Sequence, residues 1–92
     1  MKIASAVVAM TLLIRTDLRD TDLFQSNFYN ASLQASNFEN ANLVESNLQG
    51  TDLKHAIFTN NKVDRTTFMF ATNLNKAIGM RDAKNTDTAR FK

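Results

Sequence analysis

The sequence predicts an all-β fold, a solenoid whose chain turns once every five residues. Two observations predict it. Every fifth residue of one stretch is large and apolar: Leu18, Leu23, Phe28, Leu33, Phe38, Leu43, Leu48, Leu53, Phe58, Val63 and Phe68. Residues scored as hydrophobic make up 43% of the chain, so eleven uninterrupted hits on one lattice are not an effect of composition. Two places before each hit stands a small residue, from Thr16 through Thr66, with Asn61 as the exception.

Neither common element gathers such sites into one core. A helix turns about 100° per residue, so a period of five smears the apolar positions around its cylinder. A strand alternates faces, so an odd spacing sends successive positions to opposite sides. A chain that turns at a fixed point in every unit aims each apolar site at a common axis. Stacked coils then pair their backbones at the ~4.8 Å spacing of neighbouring strands.

The units themselves are TDLRD (16–20), TDLFQ (21–25), SNFYN (26–30), ASLQA (31–35), SNFEN (36–40), ANLVE (41–45), SNLQG (46–50) and TDLKH (51–55). AIFTN, NKVDR and TTFMF follow, keeping the apolar centre without the Asp or Asn. This tandem pattern resembles the pentapeptide-repeat family. The resemblance implies a right-handed quadrilateral β-helix with four units per coil. Residues 16–72 would then form about three coils, with a short helical cap possible at either end.

A twenty-residue coil makes further expectations. Arg19 falls under Glu39 and Glu45 under Arg65, two pairs of opposite charge. Asp20, Asn40 and Asn60 form a polar corner column. Inside, Leu18 faces Phe28 and Phe38 faces Leu48, one larger and one smaller side chain per layer. Phe58 opposite Phe68 breaks that rule, which predicts a wider or frayed coil there.

Residues 1–15 are apolar after Lys2 and admit three readings: degenerate repeats, a signal or anchor segment, or a helix over the barrel mouth. The five-residue phase runs back through Leu13, Val8 and Ile3, which would leave Val7, Leu12 and Ile14 outward and covered by something. No small-x-small cleavage site follows the apolar run, since Arg15 leads directly into the first clear repeat, and the run is too short to span a bilayer as a helix. In residues 73–92 the phase slips, since Asn73 stands where an apolar residue is due. Leu74, Ala77, Ile78 and Arg81 lie at helical spacing, which predicts a short capping helix over Leu74–Lys84, followed by a basic tail. TARFK (88–92) reads as one more repeat unit.

The sequence offers little for chemistry. His55 is the only histidine and there is no cysteine, which excludes disulfides and clusters of His or thiolate ligands. Asp17, Asp22 and Asp52 occupy the unit's own Asp/Asn slot, where a short polar side chain shapes a turn. No phosphate-binding glycine loop or nucleophile motif occurs, so the chain is expected to be non-enzymatic, with no cofactor, metal or small-molecule substrate.

What remains is surface. Phe24 and Val44 fall twenty apart on one wall, Tyr29 and Met69 on the next, with Phe70 beside Met69. These five residues are the candidate interaction surface, for an unknown protein partner or a homodimer. The alternative comes from the resemblance alone, since some pentapeptide-repeat proteins protect bacterial DNA gyrase by mimicking DNA. Such mimicry needs a long, negative rod. Residues 16–70 hold seven acids against four bases, and the last twenty-two residues are basic, so a nucleic-acid role is not expected. A membrane role is expected only if residues 1–14 act as a signal or anchor. The cytoplasm is the expected compartment, or a secreted or periplasmic one if that segment is a signal.

Overall fold

The computed structural model describes residues 3–84 and 86–91, so Lys2 and Lys92 lie outside the described residues. The five-residue units follow one plan, whose register changes only where they meet the chain after Thr72. A unit's second residue makes an isolated parallel bridge to the residue twenty further on, as in Val7↔Asn27, Leu12↔Ser32, Asp17↔Asn37 and Asp22↔Asn42. Its third residue points inward. Its fifth residue turns the corner with positive φ, from Ser5 at 63° through Asn40 at 60° to Phe70 at 60°. The amide of the next unit then closes the turn, as Ser26 N donates to Leu23 O at 3.0 Å. A positive φ at the third position of a four-residue turn is the type II pattern. Because bridged residues are twenty apart and units are five long, four units complete one circuit and the barrel has four walls.

The side chain at the second position reinforces each turn. The Asp17, Asp22, Asn27, Asn37, Asn42, Asn47 and Asp52 side chains each accept a hydrogen bond from the amide two residues later, at 2.9–3.2 Å. This local bond holds the backbone extended before the corner. From Thr21 to Thr66 the residue opening each unit is buried beside the inward one, while Thr16 is half-buried and Thr11 exposed. Some of these hydroxyls donate to backbone of the coil below, as Ser46 Oγ to Leu23 O at 2.7 Å and Thr66 Oγ1 to Leu43 O at 2.6 Å, whereas Thr51 Oγ1 donates to Leu48 O of the preceding unit at 2.8 Å.

The core is therefore a column of inward side chains. Leu23, Phe28, Leu33, Phe38, Leu43, Leu48, Leu53, Phe58, Val63 and Phe68 are fully buried, and Leu18 is half-buried against them. Phenylalanine rings run through this column in a chain of contacts. Phe28 meets Phe38 edge-on at 5.9 Å, Phe38 stacks on Phe58 at 5.3 Å, and Phe58 meets Phe68 edge-on at 5.7 Å. Finally Phe91 stacks on Phe68 at 5.1 Å.

Four sequence expectations are corrected here. The Phe58 and Phe68 layer does not fray. Bridges Asn37↔Ile57 and Asn47↔Thr67 keep the twenty-residue register, because two rings inclined at 75° share the width edge-to-face. Widening comes one circuit later, where the bridges are Ile57↔Ile78, Lys62↔Lys84 and Thr67↔Arg90, with offsets of 21, 22 and 23. Nor is Leu74–Lys84 a capping helix. It makes two separate 3-10 turns, Leu74–Lys76 and Met80–Asp82, and a third covers Thr86–Thr88. Bridging to the coil below carries the chain around the barrel instead of over its mouth. Leu74, Ala77, Met80, Ala83 and Ala89 pack on the core as they pass. Third, Arg19 lies in register with Glu39 and feels its charge, but it forms no ion pair there. It pairs with Asp17 of its own unit at 2.8 Å, a geometry two residues of extended chain supply directly. The Glu45 and Arg65 pair does form, at 2.9 Å.

The fourth concerns residues 3–15, which carry the same bridges, corners and inward side chains as the repeats that follow. Ile3, Val8 and Leu13 pack against the core, while Val7, Leu12 and Ile14 stand outward and exposed instead of covered.

Candidate interaction surface

Each wall presents the second, fourth and fifth residues of its units to the outside. Phe24 and Val44 lie on the wall built by residues 21–25, 41–45 and 61–65, and both are half-buried. Tyr29, Met69 and Phe70 lie on the next wall, built by residues 6–10, 26–30, 46–50 and 66–70. There Tyr29 is 39% exposed, Phe70 74% exposed and Met69 half-buried. The structure thus divides the five candidate residues between two walls. Only Tyr29 and Phe70 of the five stand clear of their surroundings.

The same wall carries Val7, which the sequence placed outward but not among the five candidates, and Met10, which sequence reasoning did not single out. Val7 and Met10, on its lowest rung, are 75% and 74% exposed. A signal for them exists: once the five-residue phase is extended back to Ile3, Val7 falls on the second place of a unit and Met10 on the corner. Leu12 and Ile14 occupy second and fourth places on the following wall.

Charges gather on the other walls. Glu45 accepts from Gln25 Nε2 at 3.0 Å and from Arg65 Nε at 3.0 Å, and these bonds hold its carboxyl below the usual range, the Gln25 bond foremost. Asp52 is lowered chiefly by the Asn73 amide at 2.9 Å, with the Lys54 amide and Gln34 assisting. The two-pronged bond from the Arg19 guanidinium, helped by the Arg19 amide, lowers Asp17 to about 2. These are links that tie one unit to itself or to the coil above. His55 stands exposed on a corner, with φ of 62°. Among the described residues there is no cavity and no grouping of three or more His, Cys, Asp or Glu that could hold a metal ion. No helix among them is long and apolar enough to cross a membrane.

A barrel of this construction can be compared with known proteins. The family model for pentapeptide repeats, described as eight copies, matches residues 11–40 and 21–60, which together cover more than half of the chain. The chain belongs to the pentapeptide-repeat family. Members of the family form right-handed β-helices, and the parallel bridges and inward column seen here are that architecture. Two solved pentapeptide-repeat proteins are similar across nearly its whole length. Rfr23 from the cyanobacterium Cyanothece is 26% identical with a TM-score of 0.70, over 99% of this chain and 54% of that one. A pentapeptide-repeat protein of the Arabidopsis thaliana thylakoid lumen is 24% identical with a TM-score of 0.68, over 96% of this chain and 63% of that one. This pentapeptide-repeat chain thus spans between half and two thirds of the length of either neighbour. The comparison with curated proteins returned no match.

Proposed function

We propose that this chain is a non-catalytic scaffold, a stiff four-walled barrel that holds a protein partner or a second copy against one wall. The observation that carries the reading is the cluster of exposed apolar side chains on the wall of Tyr29 and Phe70. The fold does not need them: the core is complete inside, and the corners are closed by backbone bonds. Large apolar groups held rigidly in water are the usual mark of a contact surface. Family membership supports a scaffold, and the repeat's polar residues are engaged in shaping turns. A DNA-like surface would need unpaired negative charge in rows, whereas Asp17 and Glu45 are each bound to an arginine.

Capture of partners from a cell lysate tests the reading, with the wild-type chain run beside Tyr29→Ser, Phe70→Ser. Both residues point outward, so the double variant is expected to keep the fold, which circular dichroism checks. A protein or second copy retained by wild type and lost by the folded variant supports the scaffold. Equal retention by both would remove this wall from consideration.

A further inference from the structure

One wall of the barrel is free of charge. Residues 6–10, 26–30, 46–50 and 66–70 include no Asp, Glu, Lys, Arg or His, although the chain has twenty Lys, Arg, Asp and Glu residues. Each of the other three walls carries both signs, with Asp22 and Arg65 on one, Asp52 and Lys54 on the next, and Asp17 and Arg19 on the third. Arg90, on the wider coil above, is the first charge met along the neutral wall. Its bridge column runs Val7, Asn27, Asn47, Thr67, so it has four rungs, apolar at one end and amide-rich in the middle. Met69 and Phe70 make the other end apolar again.

We infer that this wall pairs with the same wall of a second copy, antiparallel, about a two-fold axis that runs at right angles to the barrel axis, along the rungs. The inference deepens the scaffold reading and rests on it. A two-fold of this kind exchanges the lowest rung with the fourth and the second with the third, and it keeps each side of the wall on its own side. Met10 then meets Phe70, both at the corner and both 74% exposed. Ala9 meets Met69 and Asn30 meets Gly50, small against large in each case. Tyr29 meets Gln49, and Asn27 meets Asn47, amide against amide, so each can give and take a hydrogen bond. The four units of this wall bring no charge into the contact, and the nearest ion pair, Glu45 with Arg65, stands on the bordering corner, so the largest cost of burying a polar surface is avoided within the wall. The parallel alternative would bring the two Arg90 side chains into one row, and like charges there repel. In the antiparallel pair they lie beyond opposite ends.

Size sets the strength. The barrel measures 27 × 27 × 20 Å. One wall therefore offers roughly 400–500 Å², about half of the ~800 Å² per partner of a standard interface. A contact of that size belongs to the weak, transient class, so it is sought at high concentration.

Sedimentation equilibrium from 10 µM to 1 mM tests it, on the wild-type chain and on Met10→Lys, Phe70→Glu and Lys62→Glu, each checked for fold by circular dichroism. Wild type and Lys62→Glu are expected to rise from 10.3 kDa toward twice that mass. Met10→Lys and Phe70→Glu alone weaken the pairing at least tenfold, since each places two charges against apolar groups. Mixing the two variants restores a heterodimer, because the introduced ammonium of one copy then meets the introduced carboxylate of the other. A mixture that stays monomeric, with wild type dimeric, overturns the antiparallel register. A wild-type monomer at every concentration overturns the pairing itself. In that case the lysate capture with Tyr29→Ser, Phe70→Ser decides separately whether the wider scaffold reading stands.

Discussion

The rings of Phe38 and Phe58, twenty residues apart in the chain, stack face to face at 5.3 Å with an interplanar angle of 12°. Phe38 also meets Phe28 edge-on, so it joins successive levels of the core. Phe38→Ala would open a void between rings that a closed barrel cannot collapse into. We expect a loss of about 3–5 kcal/mol, as for other buried phenylalanines, read by urea denaturation. A loss below about 1 kcal/mol would mean that the column repacks and is less rigid than its geometry indicates.

Asn61 fills the place where other units have Thr, Ser or Ala, and it is fully buried. Among the described residues neither polar atom of its side chain has a hydrogen-bond partner. Ser46, in the equivalent place, donates to the carbonyl of the residue twenty-three earlier at 2.7 Å. Asn61→Ser would place its hydroxyl near the matching Phe38 carbonyl. The substitution is expected to stabilise the fold by about 1–2 kcal/mol, a rise of several degrees in Tm for a chain of this size. An unchanged or lower Tm would show that the asparagine is satisfied.

Gly50 and Gly79 both hold positive φ, at 72° and 75°, yet they should respond differently to alanine. An added Cβ at Gly50 would meet the Asn30 side-chain oxygen, which lies on an exposed corner and can rotate away. At Gly79 it would lie 3.1 Å from the Thr59 amide nitrogen, which is backbone and held in the barrel's frame. Gly50→Ala is therefore expected to cost about 1–2 kcal/mol, the ordinary penalty of a left-handed alanine, and Gly79→Ala clearly more. Chemical denaturation of the two variants side by side checks the order.

Asp17 titrates near 2, because the Arg19 guanidinium and amide bond its charged form. A carboxyl lowered in the folded state contributes stability at pH above its unfolded value, about 3.9. That contribution fades as pH falls through the folded value of about 2. Removing the guanidinium with Arg19→Ala should bring Asp17 back toward the ordinary range, followed by NMR of the carboxyl carbon. The pair is exposed, so its effect on overall stability is expected to be small.

Much of this architecture is readable from the five-residue spacing, because one inward residue per unit leaves so few alternatives. Glu45 and Arg65 can be placed together from their separation of twenty. Arg19 cannot be placed so, since Asp17 two residues away competes for it and the contest depends on side-chain reach. The circuit after Thr72 misleads because its signal changes period rather than vanishing. Ala71, Ala77, Ala83 and Ala89 recur every six residues, and Leu74 and Met80 do the same. A single residue added to each side gives the 3-10 turns, and the helical spacing of Leu74, Ala77 and Ile78 is a by-product. On the surface, Tyr29 and Phe70 can be named from the lattice. The lattice also puts Phe24 and Val44 on one wall, but their half-burial depends on neighbours that spacing alone does not reveal.

The near-constant offset between bridged residues also governs how such a chain folds. Each new circuit closes a loop of twenty to twenty-three residues onto a finished template, wherever along the barrel it lies. Closing a loop of that size costs about 2.7 kcal/mol beyond a fixed constant, and the figure does not grow with the number of circuits already made. Assembly can begin at any circuit and spread to its neighbours. Lengthening or shortening the array by whole turns would change its stability in steps while leaving the entropic difficulty of each step the same.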